Sequence, residues 1–224
     1  MHDFIINSGI DVNSMVLLLL LPISVSFIGI SRHIIGFRSL GIYLSMVITF
    51  ILYKLGQIDN SIYSDPIKGL KLGILIVAFI FISAAFSYQL VRKVSLHYYP
   101  KLAIVITIVT LTIVLLVFFL GILNVKGIIQ LDTFTLVLIV GISEKYVSIL
   151  ARKKIKTALL VSFESLVQAI ICYLLISMRP FIDLIIAYPF IILILFPLNY
   201  LVGKFTGLRL TEYYRFRSIL GSLE

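Results

Sequence analysis

Two acidic residues are the first candidates for chemistry, because a carboxylate in apolar surroundings is costly and usually has a task. Glu144 and Glu164 each interrupt a long apolar stretch, and the basic cluster Arg152, Lys153, Lys154 and Lys156 separates the two stretches. A helical hairpin turning near Lys154 puts each glutamate ten residues from the turn. At 1.5 Å per residue that is about 15 Å, level with each other and near the middle of a bilayer. The helical period stacks Thr157, Glu164, Gln168 and Cys172 on one side, and Gly141, Glu144, Ser148 and Ala151 on the other. Facing each other inside a bundle, the pair either carries protons or substrate, or fastens helices by pairing with Lys145 or a tyrosine. Desolvation and like charge together would keep at least one of them protonated.

Other reaction chemistry lacks its parts. His2, His33 and His97 are the only histidines and fall at ends or loops, and the chain has no H-E-x-x-H helix and no Cys/His cluster. Gly141-Ile142-Ser143-Glu144 resembles the start of a serine nucleophile motif, but no histidine stands in an apolar stretch to act as its base. No G-x-x-x-x-G-K-[ST] is present, and Cys172 is a single cysteine. The expectation is a non-catalytic chain with no cofactor and no metal.

Two further segments have binding chemistry. Arg32-His33-Ile34-Ile35-Gly36-Phe37-Arg38-Ser39-Leu40-Gly41 sets two arginines beside two glycines. Glycine lets backbone approach closely and arginine holds anions, so the turn suits an anionic group, or else lipid phosphates. In Gly203 to Arg217, the cations Arg209, Arg215 and Arg217 alternate with apolar side chains, which suits an interfacial helix or a docking surface for a cytosolic partner. Gly69-x-x-x-Gly73 and Gly203-x-x-x-Gly207 match the helix-dimer pattern near helix ends.

The elements that position these residues follow from composition. Of 224 residues, 61% are hydrophobic and 13% charged, with a mean hydropathy of +1.15. A soluble domain carries about 25% charged residues, so this chain lacks the charge to cover a water-facing surface. It reads as an all-α, polytopic integral membrane protein. Uncharged runs of about 20 residues cross a bilayer core, and they occur at Val12–Ser31, Leu72–Val91, Leu102–Val125 and Leu184–Gly203. Ser39–Tyr53 makes a shorter span with Lys54 snorkelling at its end, and the glutamate hairpin supplies two more. The result is a bundle of seven transmembrane helices over residues 15–203, with a short extracytoplasmic start (1–14) and a cytoplasmic basic and aromatic tail (204–224).

Orientation follows the basic residues, which are retained on the cytoplasmic side. With the N-terminus outside and the C-terminus cytoplasmic, 14 of the 19 Lys and Arg fall on inside segments. The formal net charge of +9 is then a topology signal and a contact with membrane lipids, not a sign of nucleic-acid binding.

The chain resembles the seven-helix membrane domain family usually fused to an inactive transglutaminase-like domain. The resemblance runs from Leu17 to Arg217. It rests on Ile35-Gly36-Phe37-Arg38-x-x-Gly41, Tyr99-Pro100-Lys101-Leu102 and Ser143-Glu144-Lys145-Tyr146, and above all on Asn199 followed by Gly203, Thr206-Gly207, Arg209-Leu210, Glu212 and Arg215-Phe216-Arg217. In that family the transglutaminase-like part precedes the helices outside the cytoplasm, agreeing with the orientation above. This chain has no such region, so any sensing or ligand binding done there is expected to be lost or to belong to a separate transglutaminase-like chain, and Ser45 stands where the family pattern has a proline. The resemblance also implies association with a cytosolic ATP-grasp ligase that joins glutamate-type amino acids. A fainter likeness links the first six spans to the small membrane subunit of poly-γ-glutamate capsule synthesis.

The leading expectation is a non-catalytic subunit of the inner (plasma) membrane that docks such a ligase and helps export or anchor its peptide product. A receptor-like sensor signalling through the tail and a proton-coupled small-solute carrier are the alternatives. An inverted repeat would favour the carrier, and none is visible.

Overall fold

The computed structural model describes residues 12–37, 41–57, 61–92, 94–95, 97–122, 133–152 and 155–204. They form α1 (Val12–Ile30), α2 (Ile42–Gly56), α3 (Pro66–Arg92), α4 (Tyr98–Ile122), α5 (Thr133–Arg152), α6 (Ile155–Ile176), α7 (Arg179–Ala187) and α8 (Leu195–Lys204), without a strand among the described residues. A π-helical turn, Ser31–Ile35, ends α1, and a 3-10 segment, Pro189–Ile194, leads into α8. Among the described residues, four stretches are long and apolar enough to cross a membrane: Asn13–Ile35, Pro66–Arg92, Tyr99–Phe119 and Lys156–Ile176.

The shortest of the expected spans is the centre of the bundle. α2 has 15 residues, about 22 Å, less than a bilayer core. Its buried residues run almost without interruption from Leu44 to Gly56, the pattern of a helix hydrophobic all round and enclosed by others. α1, α3, α5 and α6 pack around it. α4 is the opposite case. Its buried positions, Val105, Val109, Ile113 and Leu116, form one stripe, while Leu111, Val114, Leu115, Phe118 and Phe119 face outward. A single stripe at that spacing leaves α4 at the edge, against α3 and α5.

Close approach of α3 to its neighbours depends on two glycines. A Cβ at Gly69 would lie 2.6 Å from the Leu52 carbonyl oxygen and 2.1 Å from the Tyr173 hydroxyl, and one at Gly73 would lie 2.3 Å from Leu52 Cδ2. The Gly69-x-x-x-Gly73 pattern is therefore used within the chain, against α2 and α6.

The uncharged run Leu184–Gly203 is not one helix. The chain bends by 96° between Arg179–Ala187 and Pro189–Lys204, and Tyr188 at the break has φ −129° and ψ 68°. A residue before proline is pushed out of the α region, and Pro189 brings no N–H donor to continue the helix. The pair counts as a fifth candidate span only if both parts are taken as one pass.

Replacing Gly69 with Ala should destabilise the full chain in detergent by about 1–3 kcal/mol, since the Leu52 backbone cannot rotate away. Gly29→Ala, whose Cβ would meet nothing within 4 Å, should stay within about 0.5 kcal/mol. Thermal midpoints compare them, and equal effects would contradict this packing.

Candidate functional site

Gln168 joins three helices. Its Nε2 on α6 donates to the Ile28 carbonyl of α1 at 2.9 Å and to the Ser31 hydroxyl, and its Oε1 accepts from Ser45 Oγ of α2 at 3.2 Å. The Thr49 hydroxyl, one turn along α2, bonds the Ser45 carbonyl at 2.9 Å and the Ala169 carbonyl at 3.3 Å. Gln168, Ser45 and Thr49 are all buried, where an unmade hydrogen bond is expensive. These bonds fix the level of α6 against α1 and α2.

From that level, one helical turn toward the α1–α2 connection leads to Glu164 on α6, to Ile35 on α1 and to Gly41 before α2. The connection leaves α1 through Gly36, at φ 90° and ψ 30°, and enters α2 through Gly41, at φ 131° and ψ 158°. Both positions lie in left-handed backbone that glycine adopts without a Cβ clash. Arg32 is exposed beside this connection, and Gln57 and Tyr63 belong to the opposite end of α2. By helical rise alone, α6 runs from Gln168 to Ile155 for about 20 Å, against about 6 Å from Ser31 to Ile35. α6 therefore extends further from the level of Gln168 than the described end of α1 does.

Of the residues singled out from the sequence, Gln168 is tied to the end of α1 at Ile28 and Ser31, Glu164 lies one turn from it on α6, and Arg32, Gly36 and Gly41 flank the α1–α2 connection. Glu164 is half-buried. Glu144 lies on the exposed face of α5 with Val137 and Val140, and the Tyr43 hydroxyl at the start of α2 comes 3.8 Å from where a Cβ on Gly141, one turn away, would be. α5 packs more on α3 and α2 than on α6, so the stripe of Gly141, Glu144, Ser148 and Ala151 turns outward rather than into a shared interior. Periodicity alone could not assign which side of α5 met α2. The stripe on α6 turns inward at Gln168 and Cys172, which are buried, while Thr157 is exposed. Asn199 of α8 donates to Ser26 Oγ of α1 at 2.8 Å, fastening the broken last element to the bundle. Arg38, Arg209, Glu212, Arg215 and Arg217 lie outside the described residues.

The other end of the bundle holds an arrangement that the sequence reading missed. Tyr63, in the α2–α3 connection, donates to Asp183 Oδ1 at 2.7 Å, and Arg179 stands over its ring at 5.6 Å from the centroid. The bond to Asp183 pushes the Tyr63 hydroxyl above the usual phenol value, burial adds to this, and Arg179 partly opposes it. Tyr63 therefore stays protonated and keeps donating through neutral pH. Tyr173 of α6 donates to the Asp65 carbonyl at 2.9 Å and lies 3.0 Å from the Ser64 hydroxyl. Gln57 bridges Asn13 at 2.8 Å and the Ser61 carbonyl. The only sequence signals here were Asp65-Pro66 and Arg179-Pro180, which read as ordinary turn punctuation.

Apolar outward faces around a hydrogen-bonded helical interior define a multi-pass membrane protein of the all-helical class. The chain belongs to the family described as seven transmembrane helices usually fused to an inactive transglutaminase, whose model matches residues 10–220. No curated protein and no solved structure matches it.

Gln168→Ala removes bonds to α1 and α2 at once. Interhelical bonds in membranes are worth about 0.6–2 kcal/mol each, so the loss should be about 1–3 kcal/mol in detergent unfolding. Glu144→Ala, on the exposed face, should change stability by less than about 0.5 kcal/mol. The reverse ranking would mean that Glu144, not Gln168, ties the helices.

Proposed function

We propose that the chain is a non-catalytic membrane subunit that presents the α1–α2 connection to a cytosolic ATP-grasp ligase of the glutamate-type class, and helps export or anchor the peptide product. In this reading α1 to α6 and the bent α7–α8 pair are the seven passes of a membrane domain over 15–203. The N-terminus is outside the inner (plasma) membrane, and the tail, 204–224, is cytoplasmic. A transglutaminase-like domain meets the outer face, as the family's usual fusion suggests.

The observation that supports the docking role is the backbone of the connection. Gly36 and Gly41 both hold positive φ, so the chain between them starts and ends in conformations that other residues rarely adopt. Arg32 is exposed beside it, and Arg38 lies between the two glycines in sequence. Two arginines close in sequence to two glycines of positive φ suit an acidic surface or an anionic peptide better than loose lipid contact. The carrier alternative draws on Glu164 alone, since Glu144 faces outward. The sensor alternative draws on the polar end at Tyr63 and Arg179.

The test is co-purification of the ATP-grasp ligase with tagged full-length chain. Arg32→Ala with Arg38→Ala should reduce recovery at least about tenfold, about 1.4 kcal/mol, while a reporter fused after residue 155 still reads cytoplasmic. Unchanged recovery would assign these arginines to lipid, and an extracytoplasmic reporter would overturn the orientation.

A further inference from the structure

At the end opposite the α1–α2 connection, a cleft of about 440 Å³ opens between the α2–α3 connection and the start of α7. Tyr63, Ser64, Asp65, Pro66, Ser177, Met178 and Arg179 line it. The volume falls in the range of small-molecule sites, and the groups around it are of mixed charge.

Three observations bear on what it holds. Asp65 and Arg179 line the same cleft with opposite charge, yet among the described residues Arg179 makes no ion pair with Asp65 or Asp183. Arg179 instead lies over the Tyr63 ring, and Asp65 Oδ1 accepts from the Ile67 backbone at 3.0 Å. Second, Ser177 is 4% exposed and its Oγ has no hydrogen-bond partner. It lies beside the Tyr173 hydroxyl, short of bonding geometry. A buried hydroxyl without a partner is uncommon and calls for an explanation. Third, α7 begins at Arg179, and although its Phe181 and Ile182 N–H groups bond the Met178 carbonyl at 3.0 and 3.2 Å, the positive end of its dipole lies at the cleft. Such an end favours an anion.

We propose that this cleft binds a small zwitterion, a ligand with one carboxylate and one ammonium group such as a free amino acid or a short peptide. The carboxylate sits between the Arg179 guanidinium and the Ser177 hydroxyl, at the positive end of α7. The ammonium is held toward Asp65, whose Oδ1 also accepts from the Ile67 backbone at the start of α3. Tyr63, fixed by Asp183 below and Arg179 above, forms the wall against which the ligand's side chain lies, and Pro66 and Met178 complete an apolar rim. This site is independent of the docking role of the opposite end, and its failure would leave that role untouched.

The full chain in phosphatidylcholine nanodiscs tests it by thermal midpoint. The probes are an equimolar pool of the twenty free amino acids, a pool of short peptides from an enzymatic casein digest, and both pools after N-acetylation and C-amidation. At saturation, a native pool should raise the midpoint by about 2–4 °C, and the responding pool tells amino acid from peptide. The blocked pools should do nothing. Arg179→Gln should abolish the shift. Ser177→Ala should reduce it while leaving the ligand-free midpoint unchanged or higher, because removing an unbonded buried hydroxyl costs the fold nothing. No shift with either native pool, an equal shift with the blocked pools, or a full shift in Arg179→Gln would overturn the proposal. So would a ligand-free loss of stability in Ser177→Ala. Stabilisation by phosphatidylethanolamine in the nanodisc, with no response to the pools, would give the cleft to lipid and overturn it as well.

Discussion

From Leu44 onward α2 buries residues in nearly every direction, and so it needs a neighbour on every side. α1, α3, α5 and α6 supply them. In lipid this arrangement cannot rest on the hydrophobic effect, because acyl chains are as apolar as leucine. It rests instead on close packing and on hydrogen bonds that have no water to replace them. Gly69 and Gly73 let α3 approach Leu52 at backbone distance, and Gln168 ties α6 to α1 and α2. Short length then becomes a consequence of position. A helix sealed by four others does not have to reach both headgroup layers itself.

That central helix also separates two chemically different ends. At its start the chain turns through Gly36 and Gly41 with Arg32 exposed and Glu164 one turn beyond the Gln168 bonds. At its finish, Gly56 sits where a Cβ would come 2.5 Å from the Tyr173 hydroxyl, and that hydroxyl reaches Ser64 and the Asp65 carbonyl. Tyr173 and Gln168 are both on α6, little more than one turn apart. A shift of α6 against α2 would therefore be felt at both ends, through bonds rather than through lipid.

Much of this was legible in residue order, and the omissions have physical causes. Absence of charge over some twenty residues marks a membrane stretch whatever surrounds it, so α1, α3 and α4 were readable. Lys153 and Lys154 marked the break between α5 and α6 for the same reason. The run Leu184–Gly203 misled because hydropathy does not register backbone breaks, although Tyr188-Pro189 carried the signal for one. Glu144 and Glu164 share a plausible level, but their directions depend on which faces of α5 and α6 meet α2, a tertiary choice invisible to a helical period. The role of Gln168 was half readable as a polar residue in an apolar stripe. Its partners, Ser31 and the Ile28 carbonyl, lie about 140 positions away. The Tyr63 cleft was missed because two connections, far apart in sequence, make it jointly.

The chain contains no tryptophan, so one introduced indole reports on its own surroundings, and brominated lipid quenches it only where acyl chains touch it. Phe50 on α2 is 5% exposed and Phe79, midway along α3, is 44% exposed. In full-length protein reconstituted into brominated phosphatidylcholine, Phe79→Trp should lose most of its fluorescence and Phe50→Trp should keep nearly all of it. Equal quenching of the two would place α2 against lipid and contradict a bundle built around it.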